Sequence, residues 1–397
     1  MTSVQDATRI ILQSTLALDT ELVPFYRSNG RVLREALVAD RDFPPFDRVS
    51  MDGIAILFED FAVGQRTFPV EGIQAAGASR QKLSQANYCL EVMTGAVLPE
   101  NTDTVIRYED LEMKNGMATI LTEHISKGQN IHVHGSDRRK GDMIVAEGTL
   151  ITSAETGIAA TIGKTHLKVA RLPRVAVIST GDELVEVGEK PLPHQIRKSN
   201  VHTLAAILSI WGLHADLLHL PDQQGKIEAV LSDCLKKYEA IILSGGVSMG
   251  KFDHVPEALD RLGVHKLFHK ISQRPGKPFW FGRTERTVVF AFPGNPVSTF
   301  LCMYRYFQTW LRASLGLPPF SWRYAMLEED YFFKPDLTYF LQVKLKYRED
   351  GCITALPVTG QGSGDLANLV DADSFMELPK ERQDFKKGEV LPVWVFK

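Results

Sequence analysis

Residues 175–178, 240–243 and 288–292 are uninterrupted apolar runs, of the kind that forms strands covered on both faces. Between them the spacing turns helical. Residues 200–211, closed by Gly212, and 224–237 read as helices, with a strand at 213–220 between the two. A shorter helix follows at 256–262, and the 288–292 strand runs directly into a long helix. Strands that alternate with helices fold as a parallel sheet with right-handed crossovers. That arrangement constrains the chain more than anything else in it, because ligands of such sheets bind beyond the carboxyl ends of the strands.

At 397 residues the chain exceeds one ordinary domain of roughly 100–200 residues. From 43 to about 134 short alternating stretches such as TFPVEGI and YCLEVM are separated by Gly, Pro and Asn, which reads as a small β-rich unit. Residues 4–18 before it have amphipathic helical spacing. After it, a segment rich in Gly and charge leads to a helix at 153–162, with Ser153 as N-cap and Gly163 past its end. The β-rich unit therefore interrupts a mainly helical one. Residues 315–322 read as a linker, and the tail alternates in YFLQVKLKY and VLPVWVF, as a small barrel or sandwich does.

Lys and Arg number 45 against 48 Asp and Glu, a formal charge of −3, so nucleic acid and anionic membrane are not expected as partners. A local basic pocket is compatible with that balance. Cys89, Cys234, Cys302 and Cys352 form no CxxC pair, which disfavours zinc ribbons and redox motifs and fits a reducing compartment. The first residues lack a basic start and apolar core, and no apolar run approaches the roughly 20 residues of a membrane helix. The expectation is a soluble, cytoplasmic protein.

Three segments converge on one sheet edge. The 240–243 strand enters Ser244-Gly245-Gly246, with Ser248 and Asp253 before the next helix. Glycines there let backbone amides approach an anion, and an acidic residue at that edge suits Mg2+ beside a phosphate. The bland reading is a tightly closed turn. Lys270, Arg274 and Lys277 concentrate three cations around a Pro275-Gly276 turn, suited to an oxyanion or simply a solvated loop. Pro293-Gly294 leads to Asn295 as N-cap and Pro296 as first helical residue, with Val297, Phe300, Leu301, Tyr304 and Phe307 as a core stripe.

Carboxylates at strand ends, Asp182 with Glu183 and then Asp222, point to a divalent cation. Elsewhere Asp47 and Asp52 lie in FPPFDRVSMDG, where an Asp usually accepts within its own turn. Thr94-Gly95-Ala96 forms a loop, and HVHGSDRRKGD holds His132, His134, Asp137 and Asp142. An HxH pair can ligate metal, but no third ligand is placed by spacing, so strand alternation or a surface pair is the preferred reading. His265 and His269 are one helical turn apart without the Glu of H-E-x-x-H, which excludes a zinc protease.

Taken in order, PPFDRVSMDGIA, MTGAVLPENTDTVI, GSDRRKGD, PRVAVISTGDEL, ILSGGVSMGKFDHV, RPGKPFWFG, FPGNPVSTF and GQGSGDL resemble the MoeA family of molybdopterin molybdenumtransferases, which includes the gephyrin E-domain. The resemblance implies an elongated four-domain subunit of α/β and β class that forms a homodimer. Its parts would be 1–42 with 136–170, an inserted β-rich domain at 43–135, a three-layer α/β molybdopterin-binding domain at 171–318, and a C-terminal β-barrel at 319–397. It implies insertion of molybdate into adenylylated molybdopterin with release of AMP and a requirement for Mg2+, and docking of a molybdopterin adenylyltransferase as a further partner.

By motif, the catalytic set implied is Asp52, Asp137, Asp182, Asp222, Asp253, Lys270 and Arg274, with Asp222 and Asp253 holding Mg2+. Asp52 and Asp137 would face the α/β domain of the other subunit. Thr94, Gly95, Ser244, Gly245, Gly246, Ser248, Pro275, Gly276, Lys277, Pro293, Gly294, Asn295, Pro296, Ser298 and Ser363 would contact substrate. The sequence departs from the family pattern at several positions. Ser50 directly precedes Met51, Arg274 stands where Lys is common, and Lys198 stands where an acidic residue is common. Gln342 stands where an arginine is frequent, with Lys344 on the same strand face. The alternatives are a molybdopterin adenylyltransferase, which shares only the α/β domain, and a non-catalytic gephyrin-like scaffold.

Overall fold

The structure, a computed structural model, describes residues 1–221, 224–246, 254–320, 323–358, 360, 362 and 364–397. Asp222, Ser248, Asp253 and Ser363 lie outside the described residues.

The α/β sheet has six strands in the order Ala215–Leu220, Val175–Thr180, Ala240–Ser244, Val288–Phe292, Trp280–Arg283, His265–His269. The first four are parallel, and the last two run antiparallel. Alternation along each strand sends side chains to opposite faces. Val175, Val177, Ile242 and Phe290 enter one core with the helices Ser199–Ile210 and 296–314. Ala176, Ile178, Ile241 and Val289 enter the other with Gln224–Lys237 and Val255–Arg261. His265 and His269 therefore share a strand, not a helix. The chain returns there through two antiparallel strands, and a bulge between Lys266 and Phe268 pairs His265 with Arg283 and His269 with Trp280, which puts the two histidines on opposite faces.

The first helix is Val4–Leu12, shorter than its spacing suggests, and Val4, Ala7 and Ile11 join the α/β core. Its following turn is held by the Trp310 indole, which donates to the Ser14 carbonyl at 3.1 Å. Residues from both sides of the insertion share another core, with Leu33 and Leu37 against Val145, Ile151, Leu167 and Val169. Antiparallel pairing of Thr20–Pro24 with His166–Ala170 ties the two halves. The helix at Ser153–Thr161 is capped one residue earlier than expected. The Thr152 hydroxyl accepts from the Ala154 amide, and Glu155 accepts from the Thr152 amide at 2.7 Å.

The inserted part is a six-stranded sheet with its own apolar clusters. The tail closes as a five-strand barrel. Thr338–Tyr347 pairs with both Ile353–Pro357 and Ser374–Leu378, and Arg323–Leu327 and Val390–Val395 complete the ring. Gln273–Arg274 adds to Thr338–Tyr339 from outside, which fastens the basic segment to the barrel.

Candidate active site

Register places Thr180, Leu220, Ser244 and Phe292 at one carboxyl edge of the parallel sheet. A cavity of about 470 Å³ opens there, lined by the 244–246 loop, the 293–296 loop, Thr180, Glu183 and residues 196–201. Gly245 and Gly246 have φ of +99° and +72°, and a Cβ on either would lie 2.9 Å from the Thr180 hydroxyl. Only glycine brings this loop so close. Asn200 joins the two loops, its Nδ2 donating to Ser244 Oγ at 2.8 Å and to the Gly294 carbonyl at 2.7 Å. Helices starting at Ser199 and Pro296 both begin on this cavity, so their free amides and positive dipole ends face it.

Thr180 is 5% exposed, and its Oγ1 has no hydrogen-bond partner among the described residues. A buried hydroxyl left unmatched costs stability unless a ligand or water pairs with it. The cavity thus offers amides, hydroxyls and a cation, Lys198, to something rich in oxygen acceptors. The expected Ser244, Gly245, Gly246, Pro293, Gly294, Asn295 and Pro296 all line it, whereas Ser298 is buried on its helix outside the lining. Thr180, Ser199 and Asn200 also line it and were not singled out from the sequence. The signal for Asn200 was its place at a helix start immediately after a strand.

A second group of residues gathers on the inserted part. The Val49 amide donates to the Ala96 carbonyl, the Gly95 amide to the Val49 carbonyl and the Ser50 amide to the Asn130 carbonyl, which brings three distant loops side by side. Asp52 Oδ1 accepts from the Thr94 amide at 2.6 Å, and this bond holds the carboxyl below its usual range. The next residue, Gly53, has φ +158°, and a Cβ there would fall 1.8 Å from the Ile106 carbonyl oxygen. Asp137 Oδ1 lies 2.7 Å from His132 Nε2, and that hydrogen bond lowers its pKa. Arg48 Nη2 lies 3.0 Å from His132 Nδ1. His134 instead pairs with Asp42 at 3.2 Å, so the two histidines serve different carboxylates. No hydrogen bond or ion pair among the described residues joins Asp52, Thr94 or Asp137 to the sheet-edge cavity.

The basic segment runs from the α/β sheet to the barrel, where Gln273–Arg274 pairs with Thr338–Tyr339. Arg274 and Lys277 are exposed, Lys270 is half-buried with φ +71°, and Pro278 reaches the cavity wall. Pro275 and Gly276 are buried, and a Cβ on Gly276 would meet Gln273 Nε2 at 2.7 Å. Among the described residues none of the three cations forms an ion pair. On the barrel strand Lys344 is paired with Asp373 at 3.0 Å, while the buried Gln342 Oε1 has no partner among the described residues. Asp182 is exposed at the same edge as Glu183. Among the described residues no three His, Cys, Asp or Glu side chains come together as a metal centre. No described helix is long and apolar enough to cross a membrane.

Three family descriptions match in order: "MoeA N-terminal region (domain I and II)" over residues 2–163, "Probable molybdopterin binding domain" over 176–313, and "MoeA C-terminal region (domain IV)" over 324–396. A molybdopterin molybdenumtransferase of Synechocystis sp. is 40% identical, covering 93% of this chain and 93% of its own length. One from Bacillus subtilis is 32% identical over 98% of this chain and 93% of its own. The solved molybdopterin biosynthesis MoeA protein of Pyrococcus horikoshii superposes with a TM-score of 0.84 at 26% identity, covering all of both chains.

Proposed function

The chain belongs to the MoeA family of molybdopterin molybdenumtransferases, enzymes of molybdenum cofactor biosynthesis, and on that premise we propose how its own residues divide the work. The reaction is insertion of molybdate into adenylylated molybdopterin: water cleaves the phosphoanhydride, AMP leaves, and the two dithiolene sulfurs take the metal. The observation that carries this reading is the sheet-edge cavity, where two helix starts, a Gly-Gly loop and the unpartnered Thr180 hydroxyl converge. Such a site holds a phosphorylated ligand by backbone amides without a large basic surface, which accords with the net charge of −3. Matches on both sides of the α/β part disfavour a lone adenylyltransferase, and the relatives' names disfavour a pure scaffold.

Asp52 and Asp137, held ionised by Thr94 and His132, face the cavity of a second subunit in a homodimer. In support, no hydrogen bond or ion pair among the described residues of one chain links these carboxylates to its own cavity. Lys270 and Arg274, free of ion pairs among the described residues, hold molybdate. Mg2+, when bound, would supply charge neutralisation on the phosphoanhydride. Its assignment to Asp222 and Asp253 rests on the family motif, because both lie outside the described residues, and Glu183 is the carboxylate that lines the cavity. Ser363 is assigned to the substrate on the same ground. The four-part division given above is kept; the inserted sheet and the barrel have apolar clusters of their own, while the first helix and the barrel residues Phe340 and Phe375 share the α/β core. A cytoplasmic location and docking of an adenylyltransferase complete the proposal.

Purified protein incubated with adenylylated molybdopterin, molybdate and Mg2+ will release AMP and yield cofactor that activates an apo-molybdoenzyme. Absence of both products overturns the assignment.

A further inference from the structure

We infer that Lys198 is the side chain that recognises the phosphate of the nucleotide in the sheet-edge cavity, and that Glu186 competes with that phosphate for it. Lys198 follows the strand Ile196–Arg197 and is the N-cap residue of the helix Ser199–Ile210. Its amide donates to the Val185 carbonyl at 3.0 Å, which fixes the backbone at the cavity wall. The side chain is 11% exposed, so the ammonium sits in a region with little water. Its one ion pair among the described residues is with Glu186 at 2.5 Å, a carboxylate that is itself 63% exposed.

Two further observations point to a ligand at this wall. The helix that starts here has no side-chain cap, so its first amides receive no hydrogen-bond acceptor from the Lys198 side chain. Thr180 Oγ1, buried on the same cavity, has no partner among the described residues. A phosphate oxygen between them satisfies the amides, the hydroxyl and the ammonium together. An ammonium has three donors and acts on phosphate as a compact charge. Glu186 occupies one donor when no ligand is bound. A dianionic phosphate that also takes the helix amides outcompetes a single, solvent-swept carboxylate. The nearby titratable neighbours are His219, whose Nδ1 lies 3.0 Å from Ser179 Oγ and whose burial favours the neutral imidazole, and Arg197 and Glu183 on the cavity lining.

This inference rests on the nucleotide reading of the cavity, and the experiment separates the two. Isothermal titration calorimetry of the full chain compares AMP with adenosine, which lacks the phosphate. Lys198→Met is expected to weaken AMP binding by about tenfold or more and leave adenosine unchanged. Lys198→Arg keeps AMP affinity within about threefold, since a cation remains. Glu186→Gln tightens AMP severalfold by removing the competitor, and it decides the matter should Lys198→Met fail to fold. Unchanged AMP affinity in Lys198→Met, equal losses for AMP and adenosine, or no gain in Glu186→Gln overturns the role of Lys198 alone. Wild-type protein that binds neither ligand overturns the nucleotide reading with it.

Discussion

The Arg48–His132–Asp137 chain shows how one side chain sets the state of the next. A guanidinium can only donate, so the His132 Nδ1 that faces Arg48 must accept. The imidazole proton then sits on Nε2, which donates to Asp137. Asp137 is exposed and burial would raise its pKa, so it is chiefly this bond that lowers it from the ordinary 3.8. A carboxyl lowered on folding contributes stability above its unfolded pKa, and that contribution fades as pH falls through the folded value. His132→Ala is expected to return the Asp137 midpoint toward 3.8, read by carboxyl carbon NMR titration; an unmoved midpoint refutes the tautomer argument. Asp52, Thr94, Asp137 and His132 were each visible in the sequence, but their pairings were not. Asp52 and Thr94 are 42 positions apart, and nothing local announces that an amide will meet that carboxylate.

Elements show the same division between local pattern and long-range contact. The helical stripe expected from Val297, Phe300, Leu301, Tyr304 and Phe307 is core, with Phe300 partly covered. A π-turn at Met303–Phe307 interrupts the 3.6-residue period, so five consecutive side chains are buried, Arg305 among them. Periodicity cannot foresee this, because only contact with a second body makes burial on that side favourable. That body is the barrel. Arg305, 5% exposed, pairs with Glu377 at 3.2 Å and lies 4.3 Å from the Trp394 ring, while the Trp394 indole donates to Glu377 at 2.8 Å. Removing one partner of a buried pair strands the other charge. Arg305→Ala should lower stability by about 3–5 kcal/mol in urea unfolding, and a loss below about 1 kcal/mol would mean the pair does not join helix to barrel.

For the whole molecule, the proposed dimer makes each active site from two chains. Asp52→Ala and Lys270→Ala disable opposite contributions, so each homodimer should be inactive. Mixed and re-equilibrated, half the dimers carry both variants and one of their two sites is intact, which restores about a quarter of wild-type AMP release. No recovery on mixing refutes a site shared across subunits. The α/β layering, the inserted sheet and the tail barrel were legible because alternation and helical spacing are local properties of the chain, set by which face meets water. The loops that line the sheet-edge cavity were legible for the same reason, since Gly-Gly and Pro-Gly-Asn-Pro follow strands directly. The two antiparallel strands at the sheet edge, the π-turn against the barrel, the Thr180 hydroxyl without a partner and the Lys198–Glu186 pair came only with folding. Each depends on how surfaces far apart in the chain approach and on the register they adopt, and no run of neighbouring residues encodes that.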